Sequence, residues 1–250
     1  MPVDRNRWGR TVIEGSWPNW HCPSCEGGYL REPENSVRHA HTARSHREAS
    51  SPHVHPEEFE YRFVGLLRCD NRHCLEVVIV AGTGGEMRIQ GEEFDELVVC
   101  FHPKYVSPSP HLIPLHNIYP KEVRTELALA FSASWGDLAS AGNHIRSVVE
   151  HLLSHLGISA TVGPGKFVSL HSRIQHQQTP VDIRDALMAT KWIGNAASHS
   201  GTPLSREDVF DGLDTVEFAL DYLFNKEKRR VADLIQSINA AKTPLSAGNP

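Results

Sequence analysis

What the chain lacks narrows its possible roles before any motif is read. No apolar run approaches the roughly 18 residues that a membrane-spanning helix needs, and the opening Met1-Pro2-Val3-Asp4-Arg5-Asn6-Arg7-Trp8 has no signal-peptide apolar core. These two absences make the cytoplasm the expected location, with no membrane partner. Neither sign of charge dominates: residues 1–120 carry 12 Lys/Arg against 16 Asp/Glu, and residues 121–250 carry 13 against 14. With a net charge of -5 and a pI near 6.3, the chain has no polycationic arm to drive nonspecific duplex DNA binding, although a local basic patch is compatible with these numbers. There is no His-Glu-x-x-His, no Gly-x-Ser-x-Gly and no internal repeat, so zinc-protease, hydrolase-elbow and solenoid readings have no signature to rest on. Gly163-Pro164-Gly165-Lys166 lacks the remaining phosphate-loop residues and reads as a turn. Gly82-Thr83-Gly84-Gly85 follows a strand but opens no helix, which predicts a hairpin turn.

What is present suits a globular protein. The 250 residues are 40% hydrophobic and 22% charged, enough for one large domain or two smaller ones, each with its own core. Cysteine is sparse but patterned. Cys22 and Cys25 flank Pro-Ser and precede Gly27-Gly28, Cys69 and Cys74 flank Asp-Asn-Arg-His, and Cys100 stands alone. Two close pairs far apart in sequence are what tetrahedral zinc asks of a chain, because each tight turn offers two thiolates and the second turn closes the site. Tyr61–Leu67 leads into the second pair and Leu75–Val80 leads out, both strand-like, giving strand, knuckle, strand. Cys22, Cys25, Cys69 and Cys74 are therefore the expected ligands of a structural Zn2+, a closed site that folds a domain and does not catalyse. Two other readings stand beside it: a redox pair at Cys22/Cys25, which should sit between a strand and a helix, and a disulfide framework, which a cytosolic address disfavours. His21 or His73 is also placed to replace a neighbouring thiolate. Cys100, inside the strand-like Phe94–Phe101, reads as a small buried apolar residue.

Residues 31–58 separate the pairs and contain almost nothing apolar. That composition predicts an exposed insertion or a short polar helix; its His39, His41, His46, His53 and His55 read as a solvated stretch or as a second metal site. Pro103, Pro108, Pro110, Pro114 and Pro120 then exclude a helix or a central strand and mark a boundary. Beyond Lys121 the apolar period changes from 2 to 3.6. One helix runs through Val123, Leu127 and Phe131 to about Ser134. A second carries Ile145, Val149, Leu152 and Leu153 and ends at Gly157. A short one lies within Phe167–His176. The next is capped by Thr179 with Pro180 at its first position, and continues to His199. The last starts at Ser205, with Asp208 completing a capping box, and Val231, Leu234, Ile235 and Ile238 continue it as a helix or a partner-binding tail. The expected fold is α+β: a small β zinc-ribbon domain over residues 1–107 with its insertion at 31–58, a proline-rich linker at 108–120, an all-α bundle at 121–240 and a frayed tail at 241–250.

The candidate reactive constellation lies at Lys191-Trp192-Ile193-Gly194-Asn195-Ala196-Ala197-Ser198-His199. At about 100° per residue, Lys191, Asn195 and His199 share one helix face and offer a cation, an amide and an imidazole to a phosphate. The same run reads equally as small residues at a tight helix crossing, with His199 favourably placed at a helix end. His144, His151 and His155 share a face of the preceding helix and suggest packing, a dimer contact or metal ligation.

Arg146-Ser147-Val148-Val149-Glu150 followed by Gly194-Asn195-Ala196-Ala197-Ser198-His199, after a zinc ribbon and a proline-rich region, resembles the prokaryotic family called domain of unknown function 4145. The likeness covers most of the chain and is best over 121–225. Members of that family occur with restriction endonucleases and other defence genes, and its helical part resembles the HEPN superfamily of metal-independent RNases and toxins. The resemblance implies a HEPN-like bundle that pairs as a homodimer, with Asn195 and His199 matching that superfamily's polar residue and histidine. Gly194 stands where an arginine is expected, leaving Lys191 or Arg146 to supply the charge and Glu150 to orient Arg146 or pair with Lys191. Two functions of different class follow: a dimeric recognition or scaffold module of a restriction or antiphage system, binding a defence-system protein or nucleic acid, or a metal-independent endoribonuclease using His199 on RNA.

Overall fold

The computed structural model describes residues 3–8, 11–25, 27–49, 55–90, 94–163, 165–199 and 203–242; the side chains of 197–199, 226, 228, 229 and 232 lie outside that description. The chain is α+β and divides into two compact units. A β unit comprises Val3–Leu112 with Ala128–Ala141, and a helical unit comprises Ile113–Leu127 with Gly142 onward.

Three long strands make the β unit: β4 (Glu60–Cys69), β5 (Val77–Gln90) and β6 (Asp95–Ser107). Short strands β1 (Val12–Ile13), β2 (Leu30–Arg31) and β3 (Arg38–His41) complete an antiparallel sheet of order β1-β6-β5-β4-β2, with β3 also pairing β4. In β4 the period-2 pattern is carried through: Tyr61, Phe63, Leu67 and Cys69 are buried, while Glu60, Arg62, Val64, Leu66 and Arg68 face out. The buried face meets a cluster of indoles. Trp8 stacks on Trp20 with ring centroids 5.9 Å apart, and Trp20 lies 5.0 Å from Trp135. Their polar edges are used: the Trp20 indole N–H donates to the Arg7 carbonyl at 2.9 Å, and that of Trp135 to the Ser109 hydroxyl at 2.9 Å.

Three local expectations are corrected here. Gly82–Gly85 is not a hairpin turn but the middle of β5, where a register shift falls between Ala81 and Gly82. A side chain on Gly84 would meet the Cys100 carbonyl at 2.6 Å, so the glycines admit the close approach of β6. Pro103 lies within β6, opposite Gly82; among the described residues β1 pairs with β6 at Cys100 and Phe101 and no strand pairs with Pro103 on that side. The polar 31–58 stretch does hold the expected short polar helix, α1 (Ala43–Glu48), but it also contributes the exposed strand β3 to the main sheet, where His39 and His41 pack their rings 4.8 and 4.9 Å from Tyr61.

The helical unit is built from the first turns of α2 (Lys121–Ala133) and the later turns of α3 (Leu138–His155), then α4 (Leu170–Ile174), α5 (Val181–His199), α6 (Arg206–Phe224) and α7 (Lys226–Ala241), with the small hairpin β7 (Thr161–Val162) and β8 (Lys166–Phe167) between α3 and α4. Ile145, Val149, Leu152, Leu153, Ile183, Leu187, Val209, Leu213, Val216 and Leu220 are fully buried in it. α3 ends at Gly157 (φ +79°), whose N–H reaches the Ser154 carbonyl while the Ile158 N–H reaches that of Leu153, the paired bonds of a left-handed C-terminal cap. α6 opens on the expected box: Ser205 accepts from the Asp208 N–H, and the Asp208 carboxylate accepts from the Ser205 N–H at 2.7 Å. Thr179 does otherwise than its position before Pro180 suggested, since its hydroxyl donates back to the Arg173 carbonyl at 3.1 Å. No helix among the described residues is long and apolar enough to cross a membrane.

Candidate functional site

The first candidate knuckle lies between β1 and β2, the second at the turn joining β4 to β5. In the first, the Cys22 N–H donates to the Gly28 carbonyl at 2.8 Å, and in the second the Cys74 N–H donates to the Asn71 carbonyl at 2.9 Å. The two are tied across β2 and β4: Leu30 pairs with Cys69, the Asp70 N–H reaches the Tyr29 carbonyl at 2.9 Å, and the Asp70 carboxylate accepts the Tyr29 N–H at 2.8 Å. Gly28 is needed because a side chain there would run into the Cys69 sulfur.

This scaffold brings the sulfurs of Cys22, Cys25, Cys69 and Cys74 within 4.8 Å of one another. Cys22 and Cys74 are 3.7 Å apart, and Cys25 and Cys69 3.6 Å. A metal held at about 2.3 Å by four thiolates puts tetrahedral edges near 3.8 Å, so the cluster can hold a metal ion as it stands. Among the described residues this is the one grouping of three or more His, Cys, Asp or Glu ligand atoms suited to an ion. His21 instead packs its ring 4.8 Å from Tyr29, and His73 takes no part in the cluster. The redox reading fares less well: Cys22 and Cys25 lie between two strands, with no helix after them.

The thiols are not equivalent. Burial pushes Cys22 up to about 12 and moves Cys69 in the same direction. At Cys25 burial acts upward too, but hydrogen bonds from Cys69, Cys74 and the amides of Gly27 and Gly28 outweigh it and bring the thiol down to about 7. Cys25 is thus the readiest thiolate. Sequence reasoning treated Asp70 and Asn71 only as turn formers and missed their second use: the Asn71 side-chain amide also approaches the Cys25 sulfur at 3.7 Å, and the Ser24 N–H approaches that of Cys22 at 3.4 Å. Such donors orient metal-bound thiolates. Cys100 is buried, as its strand position implied.

In the helical unit, Arg146 and Glu150 on α3 stand 3.4 Å apart as an ion pair. That distance lacks hydrogen-bond direction, and the Arg146 Nε has no hydrogen-bond partner. Gly194 on α5 packs against Arg146: a side chain there would lie 2.5 Å from the Arg146 Cβ and 3.1 Å from the Gly142 carbonyl. Lys191 is buried, and its ammonium sits 3.7 Å above the ring of Trp192. Asn195 is half-buried one turn on. His199 closes α5, and its side chain lies outside the described residues; so does His53. Of the other histidines, His144 meets the Glu126 carboxylate at 2.8 Å, and His155 packs its ring on Phe224.

One residue gave no warning. Arg173 on α4 is buried, and a single Nη2 donates to the Glu150 carbonyl at 3.0 Å, the Ser154 hydroxyl at 2.9 Å and the Ile158 carbonyl at 2.8 Å, tying off the end of α3. Burial lowers its pKa. Isolated arginines in polar stretches carry no local sign of such a role.

A sheet with four clustered thiols that could hold a metal ion, followed by a packed helical bundle, defines a two-part protein. Over residues 10–108 the chain matches a domain of unknown function (DUF8608), and over residues 128–240 a domain of unknown function (DUF4145). Residues 128–240 thus carry the DUF4145 domain. No curated protein and no solved structure matches the chain significantly.

Proposed function

We propose that the chain is a noncatalytic recognition or scaffold module of a prokaryotic defence system, acting in the cytoplasm, with Zn2+ in its four-thiol site and a HEPN-like helical unit that pairs with a second copy. The packing at Gly194 carries this reading. Where an RNase of the resembled superfamily would project an arginine, this chain has no side chain, and the space is filled by the stem of Arg146. The other cation of the constellation, Lys191, is buried against Trp192. Four thiolates leave zinc no open position, so the metal supplies folding energy and no reaction step. Expression of wild type and His199→Ala in cells decides between scaffold and RNase: the proposal expects equal growth and intact RNA from both, and toxicity that vanishes in the variant would refute it. Light scattering after gel filtration tests the pairing, a monomeric mass at tens of micromolar counting against it.

One observation favours a metal-independent endoribonuclease instead. Arg146 crosses Gly194 with its buried Nε 3.4 Å from the Glu150 carboxylate and without a hydrogen bond, and a phosphate that displaced Glu150 would meet its guanidinium from α3 as it would meet an arginine at 194 from α5. In that reading Asn195 and Arg146 hold the phosphate, Glu150 orients Arg146, and His199 moves the proton of the 2′-hydroxyl or of the leaving oxygen.

A further inference from the structure

An antiparallel sheet with one face on a core carries polar side chains on the other when that other face meets only water. The outer face of β4, β5 and β6 departs from this. The register aligns Val64 with Ala81 and Tyr105, Leu66 with Ile79, and Arg68 with Val77, and cross-strand partners point to the same side. Val64, Leu66, Val77, Ile79 and Tyr105 thus form one contiguous apolar patch, each 43 to 55% exposed. Grouped apolar exposure of this kind marks an interaction surface.

The border of the patch is basic. Arg31 on β2 stands opposite Arg68, Arg38 on β3 stands opposite Val64, and Arg62 lies two residues along β4; all four are exposed. Arg31 is matched by Asp70 at 3.5 Å. Among the described residues neither Arg38 nor Arg68 has an acidic partner.

Three occupants are conceivable on such a face, and its chemistry separates them. Single-stranded nucleic acid uses aromatic platforms for its bases, whereas this patch is aliphatic but for Tyr105. A second copy docking face to face about a two-fold would present the same arginine-bordered surface to itself, setting like charges together. A protein segment that offers acids to the arginines and apolar side chains to the patch meets both halves of the surface. We infer that the outer face of the β4–β5–β6 sheet docks a protein segment in which acidic and apolar side chains alternate. This names the partner class of the recognition module proposed above and rests on that reading.

The test is a selection of displayed random 16-residue peptides on the full-length protein, with the double variants Arg38→Glu/Arg68→Glu and Val64→Asp/Ile79→Asp as counter-targets. The substituted side chains all face solvent, and circular dichroism checks that each variant is folded. The expected result is recovered peptides rich in Asp or Glu alternating with Leu, Ile, Val or Phe, whose affinity falls at least tenfold on either variant. An oligo(dT) strand that binds the wild type with the same sensitivity to the two variants would overturn the inference in favour of nucleic acid. A change of mass in light scattering caused by Val64→Asp/Ile79→Asp would overturn it in favour of a second copy. Selection that yields no peptide sensitive to the face also overturns it, and leaves the scaffold reading standing so long as His199→Ala has no effect in cells; a catalytic phenotype of His199 defeats the scaffold reading whatever the peptides do.

Discussion

Gly194 shows how one absent side chain organises its surroundings. Glycine inside a helix costs about 1 kcal/mol against alanine, so Gly194→Ala would gain that amount if nothing were near. The added methyl, however, meets the Arg146 Cβ at 2.5 Å and the Gly142 carbonyl at 3.1 Å, neither of which is a movable chain end. Overpacking of this kind costs roughly 1 to 3 kcal/mol. Gly194→Ala is therefore expected to lower stability, by about 1 kcal/mol net, in urea denaturation; a stabilised variant would mean that α3 and α5 are farther apart. Arg173 makes the opposite case, in which the side chain is the organiser. Arg173→Ala strips three acceptors at the end of α3 of their charged donor, and bonds from charged donors contribute about 1.5 to 3 kcal/mol each before partial resolvation by water. A loss of about 2 to 4 kcal/mol is expected, with faster hydrogen exchange at residues 154–158; unchanged exchange there would assign the loss to another cause.

At the scale of elements, the caps admit a test against pH. Hydrogen bonds from the Ser205 hydroxyl and N–H hold the Asp208 carboxyl below its ordinary range. A carboxylate depressed in the folded state contributes stability that is complete above its unfolded value, near pH 4, and is lost as pH falls through the folded value. Ser205→Ala should thus cost about 1 kcal/mol at neutral pH, and the gap from wild type should narrow without vanishing as pH falls below about 4, because the Ser205 hydroxyl still accepts the Asp208 N–H when the carboxyl is protonated; thermal melts follow it. A gap that does not change with pH would mean that the Ser205 hydroxyl acts through the Asp208 N–H alone and does not hold the carboxylate. These caps also explain what was legible. Ser205 with Asp208, and Gly157 after an apolar stripe, satisfy their own backbone groups within four residues, so the sequence contains both partners of each interaction. The same holds for each cysteine pair and its turn. The elements misread were those whose reason lies far along the chain: Gly82–Gly85 runs on as strand because β6 presses close, Pro103 joins β6 opposite Gly82, and Arg38–His41 pairs because Tyr61 is across from it. Thr179 belongs with them, its hydroxyl drawn to Arg173 and not to α5.

For the whole molecule the ligand that matters most is the proposed zinc. The β unit gathers its two knuckles from residues 22–25 and 69–74, and residues 31–58 between them are mostly polar, with only short elements among the described residues. Hydrogen bonds across Tyr29 and Asp70 align the turns, and the four thiols packed within 4.8 Å offer the donor set that a metal ion would hold together. Metal binding and folding are then one equilibrium. Purified protein is expected to contain about one zinc per chain by elemental analysis. Removing it with a strong chelator should unfold the β unit, and the reporter is built in: Trp20 is fully buried two residues before Cys22 and touches Trp8 and Trp135. Their emission should shift to the red as chelator is added and return with zinc. Trp192 is exposed and contributes a red background, so Trp192→Phe sharpens the signal without touching the sheet. Cys69→Ser should reproduce the chelated spectrum, because Cys69 is both ligand and the end of β4. Protein free of metal, with unshifted emission and five thiols that titrate freely, would mean that the knuckles close on themselves and that the sheet folds without an ion.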